Sequence, residues 1–161
     1  MRKSIVSVFA VALVAGLSAS AYGDVVNDTH PQGVVDIKVT NMSHKWLKSC
    51  KQVTFGPKYV DFTVKENTFK KALGYKDMGS FVVKYNYDKT LMPAKHAGAG
   101  VKFVKTYHDK YGKLHYKTCW IKVAAVPGKP LYFAHGSLCK HFDIKTSSSS
   151  GATSYIKATY K

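Results

Sequence analysis

Apolar and polar positions alternate at a period of two in one segment after another of this chain, and that period belongs to half-buried strands. Val35-Asp36-Ile37-Lys38-Val39-Thr40 and Val60-Asp61-Phe62-Thr63-Val64-Lys65 show it most cleanly. Lys45 to Phe55 predicts a weaker strand, ended by a Gly56-Pro57 turn. Phe81 to Tyr87, Leu131 to Ala134, Lys140 to Ile144 and Ser154 to Tyr160 supply further strands. Glu66 to Leu73, ENTFKKAL, is the one segment that predicts a short helix, stopped by Gly74, and it would serve equally as a connection between sheets.

The segment from Val101 to Val126 organises the rest. Two runs rich in β-branched and aromatic residues are interrupted once, by Asp109-Lys110-Tyr111-Gly112, which predicts a hairpin closed by a glycine bulge. Pairing Asp109 with Lys113 sets His108 opposite Leu114 and Tyr107 opposite His115. Alternation then gathers Lys105, Tyr107, Lys113, His115 and Lys117 on one face near the turn. Toward the base that face becomes Val101, Phe103, Cys119, Ile121 and Val123. The expected fold is an all-β protein: a small sandwich, immunoglobulin-like or related, of seven to eight short antiparallel strands with at most one short helix.

The punctuation between strands is equally plain. Residues 88–100 read as a flexible loop, and Gly98-Ala99-Gly100 within it lacks the strand, helix and Lys-Ser/Thr context of a phosphate-binding loop. Residues 127–130 read as a turn, and the Ser-rich residues 146–153 as a mobile loop. Residues 24–33 form a loose lead-in. Before them, Arg2 and Lys3, the apolar run Ile5 to Leu17 and Ala19-Ser20-Ala21 have the order of a secretory signal. The expectation is a signal peptide over 1–21, then one sandwich domain over 22–161, exported to the periplasm or secreted. A membrane-spanning barrel is disfavoured, because lysine falls in nearly every strand and a lipid-facing lysine costs about 2–4 kcal/mol at midplane.

Charge changes the picture most. Without Arg2 and Lys3 the remaining chain has 23 basic residues, all lysine, against 9 acidic ones, a formal charge of +14. Arginine grips phosphate and guanine bidentately, whereas lysine is a mobile point charge. A basic chain without arginine argues against sequence-specific nucleic-acid readout and fits attraction to an anionic polymer, a glycan, a membrane surface or an acidic protein. The Lys105, Tyr107, Lys113, His115 and Lys117 face is the candidate contact.

Three cysteines, Cys50, Cys119 and Cys139, predict one disulfide and one thiol left over. Three pairings are possible; Cys50 with Cys119, which lies mid-strand among apolar neighbours, is the expected one, since a link between distant segments removes more unfolded-chain entropy. His108 and His115 point to opposite faces of the hairpin, and the remaining histidines lack metal-ligand spacing, so no metal and no cofactor is expected. No Gly-x-Ser-x-Gly elbow and no converging carboxylate pair occur, so no catalytic residue is assigned. The strongest enzymatic alternative is a thiol site on Cys139 and His141; a membrane-active toxin is a second alternative. Asn27-Asp28-Thr29 and Asn41-Met42-Ser43 match the glycosylation acceptor pattern. The reading favours a non-enzymatic binding protein that uses lysine and tyrosine.

Overall fold

Where a strand alternates, one edge of its side chains leaves water together, and the computed structural model stacks those edges into one core. It describes residues 32–48, 50–57, 59–87, 97–124, 130–149 and 153–161. The expected signal segment, residues 24–31 with Asn27, the loop residues 88–96, the turn residues 127–129 and residues 150–152 lie outside the described residues.

Eleven strands are present among the described residues: β1 (Gln32–Asn41), β2 (Leu47–Lys48), β3 (Lys51–Phe55), β4 (Val60–Asn67), β5 (Ala72–Leu73), β6 (Met78–Tyr87), β7 (Gly98–His108), β8 (Leu114–Ala124), β9 (Leu131–His135), β10 (Phe142–Ser148) and β11 (Thr153–Tyr160). They form a five-stranded sheet in the order β10-β11-β1-β6-β4, a four-stranded sheet in the order β3-β7-β8-β9, and a β2-β5 ribbon. Val35, Ile37, Val39, Phe81, Val83, Ile156 and Ala158 of the first sheet are buried in one cluster with Val101, Phe103, Ile121 and Val123 of the second. Each of the Val, Ile and Phe side chains contributes about 1.5–3 kcal/mol on leaving water. Phe103 spans the layers, its ring 5.2 Å from Phe142 of β10.

The all-β sandwich expected from the alternation is what forms, with more strands than the seven to eight expected. Two-residue strands leave no period to read, and Lys45 to Phe55 divides into β2 and β3, which join different sheets. The arrangement is also not wholly antiparallel: β1 pairs in parallel with β11, Val34 opposite Thr153 through Asn41 opposite Tyr160.

Glu66 to Leu73 is not helical. β4 continues through a bulge at Val64 and Glu66 to Asn67, paired with Phe81. Thr68 then exchanges bonds with Ser80, its amide donating to the Ser80 carbonyl and its hydroxyl accepting from the Ser80 amide, both at 2.9 Å. Phe69 packs 6.2 Å from Phe103, and Leu73 is buried opposite Leu47. Burial of Phe69 and Leu73 by distant strands outweighs the few tenths of a kcal/mol that propensity supplies per residue. The one short helical turn described, Cys139–His141, lies elsewhere. Gly98-Ala99-Gly100 opens β7 and Thr146 to Ser148 belongs to β10, so strands claim residues that the composition assigns to loops.

The disulfide joins Cys119 to Cys139, with Cα atoms 4.7 Å apart, and corrects the expected Cys50 pairing. Loop length acts on the unfolded chain, but native geometry chooses the partner. Gly136, at φ +117, turns the chain at the end of β9, where a Cβ would meet the Thr118 carbonyl at 2.1 Å. Leu138 then donates to that same carbonyl at 2.9 Å and delivers Cys139 beside Cys119. Closing these 20 residues of separation removes about 3 kcal/mol of unfolded-chain entropy in the loop model.

Candidate functional site

The hairpin of β7 and β8 has the register that its turn dictates. The Asp109 amide donates to the Lys113 carbonyl and the Gly112 amide to the Asp109 carbonyl, each at 3.0 Å. Gly112 takes φ +77, which its lack of a side chain permits. His108 opposes Leu114, Tyr107 opposes His115, and Lys105 opposes Lys117. Val101, Phe103, Cys119, Ile121 and Val123 are fully buried at the base, while residues 105–108 and 110–114 are exposed. The ribbon thus runs from the core outward into water, and Lys105, Tyr107, Lys113, His115 and Lys117 share the face on which the core ends.

That face is internally ordered. The rings of Tyr107 and His115 stack with centroids 5.3 Å apart, and the Lys117 ammonium stands 4.8 Å from the Tyr107 centroid. His115 Nε2 lies 2.8 Å from Asp109 Oδ2, and Asp109 Oδ1 accepts from the Tyr111 and Lys113 amides at 2.8 and 2.9 Å. The His115 hydrogen bond, followed by those amides, holds the Asp109 carboxyl below the usual carboxylate range. Asp109 is therefore engaged with its own turn. Lys105 and Lys117 face each other with no carboxylate contact within ion-pair distance among the described residues.

Lysine opposes lysine elsewhere too. Lys51 is the register partner of Lys102, and Lys157 has Lys145 on one side and Lys38 on the other. Among the described residues only Lys38 of these has a carboxylate within ion-pair distance, Asp36 at 3.5 Å. Like charges directly opposite each other destabilise a sheet.

Two features escape a strand-by-strand reading because they depend on which strands become neighbours. On the outward face of the four-stranded sheet, Lys102 lies 4.9 Å from the Trp120 ring. Lys122 lies 5.8, 5.9 and 5.7 Å from the rings of Phe55, Trp120 and Phe133. Four strands thereby contribute one lysine and aromatic surface. The second feature is a cleft of about 430 Å3 between β2 and β7, lined by Lys45, Lys48 and Lys105 as well as Trp46.

Several candidate chemistries fall. Cys139 has no thiol, because its sulfur is bonded to Cys119, and the Cys139 and His141 nucleophile is thereby removed. The free cysteine is Cys50, half-buried, its thiol pushed up to about 12 by burial. Asn41 is not a glycan acceptor in the folded protein. It is fully buried, and its Nδ2 donates to the Lys45 and Leu73 carbonyls at 2.9 and 2.8 Å. Its Oδ1 accepts from the Ser43 amide at 2.8 Å, so this amide pins the loop that carries Lys45 and Trp46. His108 and His115 face opposite sides of the ribbon, as the register requires. Among the described residues no helix is long and apolar enough to cross a membrane. No protein-family model matches the chain, and no curated protein is similar to it in sequence.

Proposed function

We propose that this is an exported, non-enzymatic binding protein that holds an anionic polymer, such as an acidic glycan, through lysine and tyrosine side chains. One observation carries the reading: the sheet register sets Lys105 against Lys117 beside Tyr107 and His115, while the adjacent carboxylate of Asp109 is bound into its own turn. A like-charged pair without a counter-charge costs folding free energy that a bound anion returns. The tyrosine and histidine rings add flat surfaces for sugar contact. The disulfide agrees with passage through an oxidising compartment.

The mechanism is diffuse attraction by a body of high positive charge, with the hairpin face as the contact, and it weakens as salt screens it. Heparin serves as the probe. Its affinity should fall by at least tenfold between about 0.05 M and 0.5 M salt, where the screening length shrinks from above 10 Å to near 4 Å. Replacing both Lys105 and Lys117 by Gln should weaken binding at the lower salt by roughly tenfold, about 1.4 kcal/mol. Salt-independent affinity, or a double variant that binds like the parent, would refute the reading.

A further inference from the structure

We infer that the cleft between β2 and β7 is a binding site for a small amphipathic acid: a single carboxylate, sulfonate or phosphate carried on a flat or short apolar body. Binding sites for small molecules are concave, mostly apolar, and furnished with a few convergent polar groups. This cleft has all three properties. Its volume of about 430 Å3 falls in the range such sites occupy. Its floor is apolar and fixed, since Leu47, Leu138 and Tyr160 are buried and belong to the core cluster.

Its walls are basic. Lys45 and Lys48 flank Trp46 and Leu47 on one side, and Lys105 rises from β7 on the other, with no carboxylate in the described lining. Three ammonium groups about an apolar floor reject a neutral hydrocarbon less than they favour an acid, and the floor gives a bare inorganic anion nothing to bury. A ligand that satisfies both has a charged head and an apolar body.

Trp46 adds an exposed ring to the wall. It is 63 % exposed, an unusual state for the largest apolar side chain, and its ring edge rests 3.1 Å from where a Cβ on Gly74 would stand. The backbone that presents it is held from beneath by the buried Asn41 amide, so the indole is placed rather than loose. An apolar body entering the cleft covers this ring and gains its area.

The site shares Lys105 with the hairpin face but does not depend on polymer binding there. Lys117 belongs to the hairpin alone, so variants separate the two. The test follows the two tryptophan indole N–H resonances of the folded protein by NMR, assigned with Trp46→Phe, during titration with 2-naphthalenesulfonate. The Trp46 resonance should shift and saturate while that of Trp120 stays in place. 2-Naphthol and sodium sulfate should each bind at least tenfold more weakly. Lys48→Gln and Lys105→Gln should each weaken the sulfonate about fivefold, the scale of one partly solvated ion contact, and Lys117→Gln should leave it unchanged. A neutral or a purely ionic probe that binds as well as the sulfonate would overturn the inference. So would equal shifts of both indoles, or indifference to both cleft lysines.

Discussion

Cys50 illustrates how much a single side chain owes to its surroundings. Its Sγ donates to the Leu47 carbonyl at 3.7 Å, and burial pushes its thiol up to about 12. A raised acid favours the protonated folded form, so its contribution is complete below the ordinary thiol value of 9.0 and is lost as pH rises toward about 12. Only the thiolate attacks. Iodoacetamide at pH 8 should therefore label Cys50 roughly a hundredfold more slowly in the native protein than in denaturant, with Cys119 and Cys139 silent until reduction. Equal rates in the two states would contradict this burial. One disulfide and one spare thiol were legible from three cysteines. The pairing was not, because it depends on where Gly136 turns the chain. The acceptor pattern at Asn41 was legible as letters only; that its amide is consumed by the Lys45 and Leu73 carbonyls is a tertiary fact.

At the level of elements, the β7-β8 hairpin was readable to the residue. Asp109 and Gly112 carry local chemistry that fixes a local register, and everything from Lys105 opposite Lys117 to Tyr107 opposite His115 follows. Asp109 is ionised and held by His115 and the Lys113 and Tyr111 amides. A lowered carboxyl stabilises the turn above the ordinary carboxylate value, and the support disappears as pH falls through the lower folded value. Acidification from about pH 6 to below pH 3 should loosen residues 107–115 before the core opens, and Asp109→Asn should loosen them at neutral pH. Heteronuclear relaxation of the Lys113 and His115 amides measures both. A tip as rigid in the variant as in the parent would show that the carboxylate does not order it. For Glu66 to Leu73 the helix fails and the alternative, a connection between sheets, is what forms, because its strand pairing and the burial of Phe69 are set by Ser80, Phe81 and Phe103, none of them local.

For the molecule as a whole, alternation revealed which faces leave water but not which strands stand side by side. Val35, Ile37 and Val39 announce a half-buried strand, yet nothing near them announces Ser154, Ile156 and Ala158 as neighbours. The cleft and the Lys102, Lys122 and Trp120 surface stayed hidden for the same reason, as both are made by neighbours. The parallel union of β1 and β11 has a mechanical consequence. Tension applied between Gln32 and Tyr160 meets that pair from opposite ends, so its cross-strand bonds are strained together in shear. Tension applied between Phe142 and Tyr160, register partners across β10 and β11, opens that pair one bond at a time. Optical-tweezer traces should accordingly show a higher rupture force along the first axis than along the second, and equal forces would deny the shear clamp.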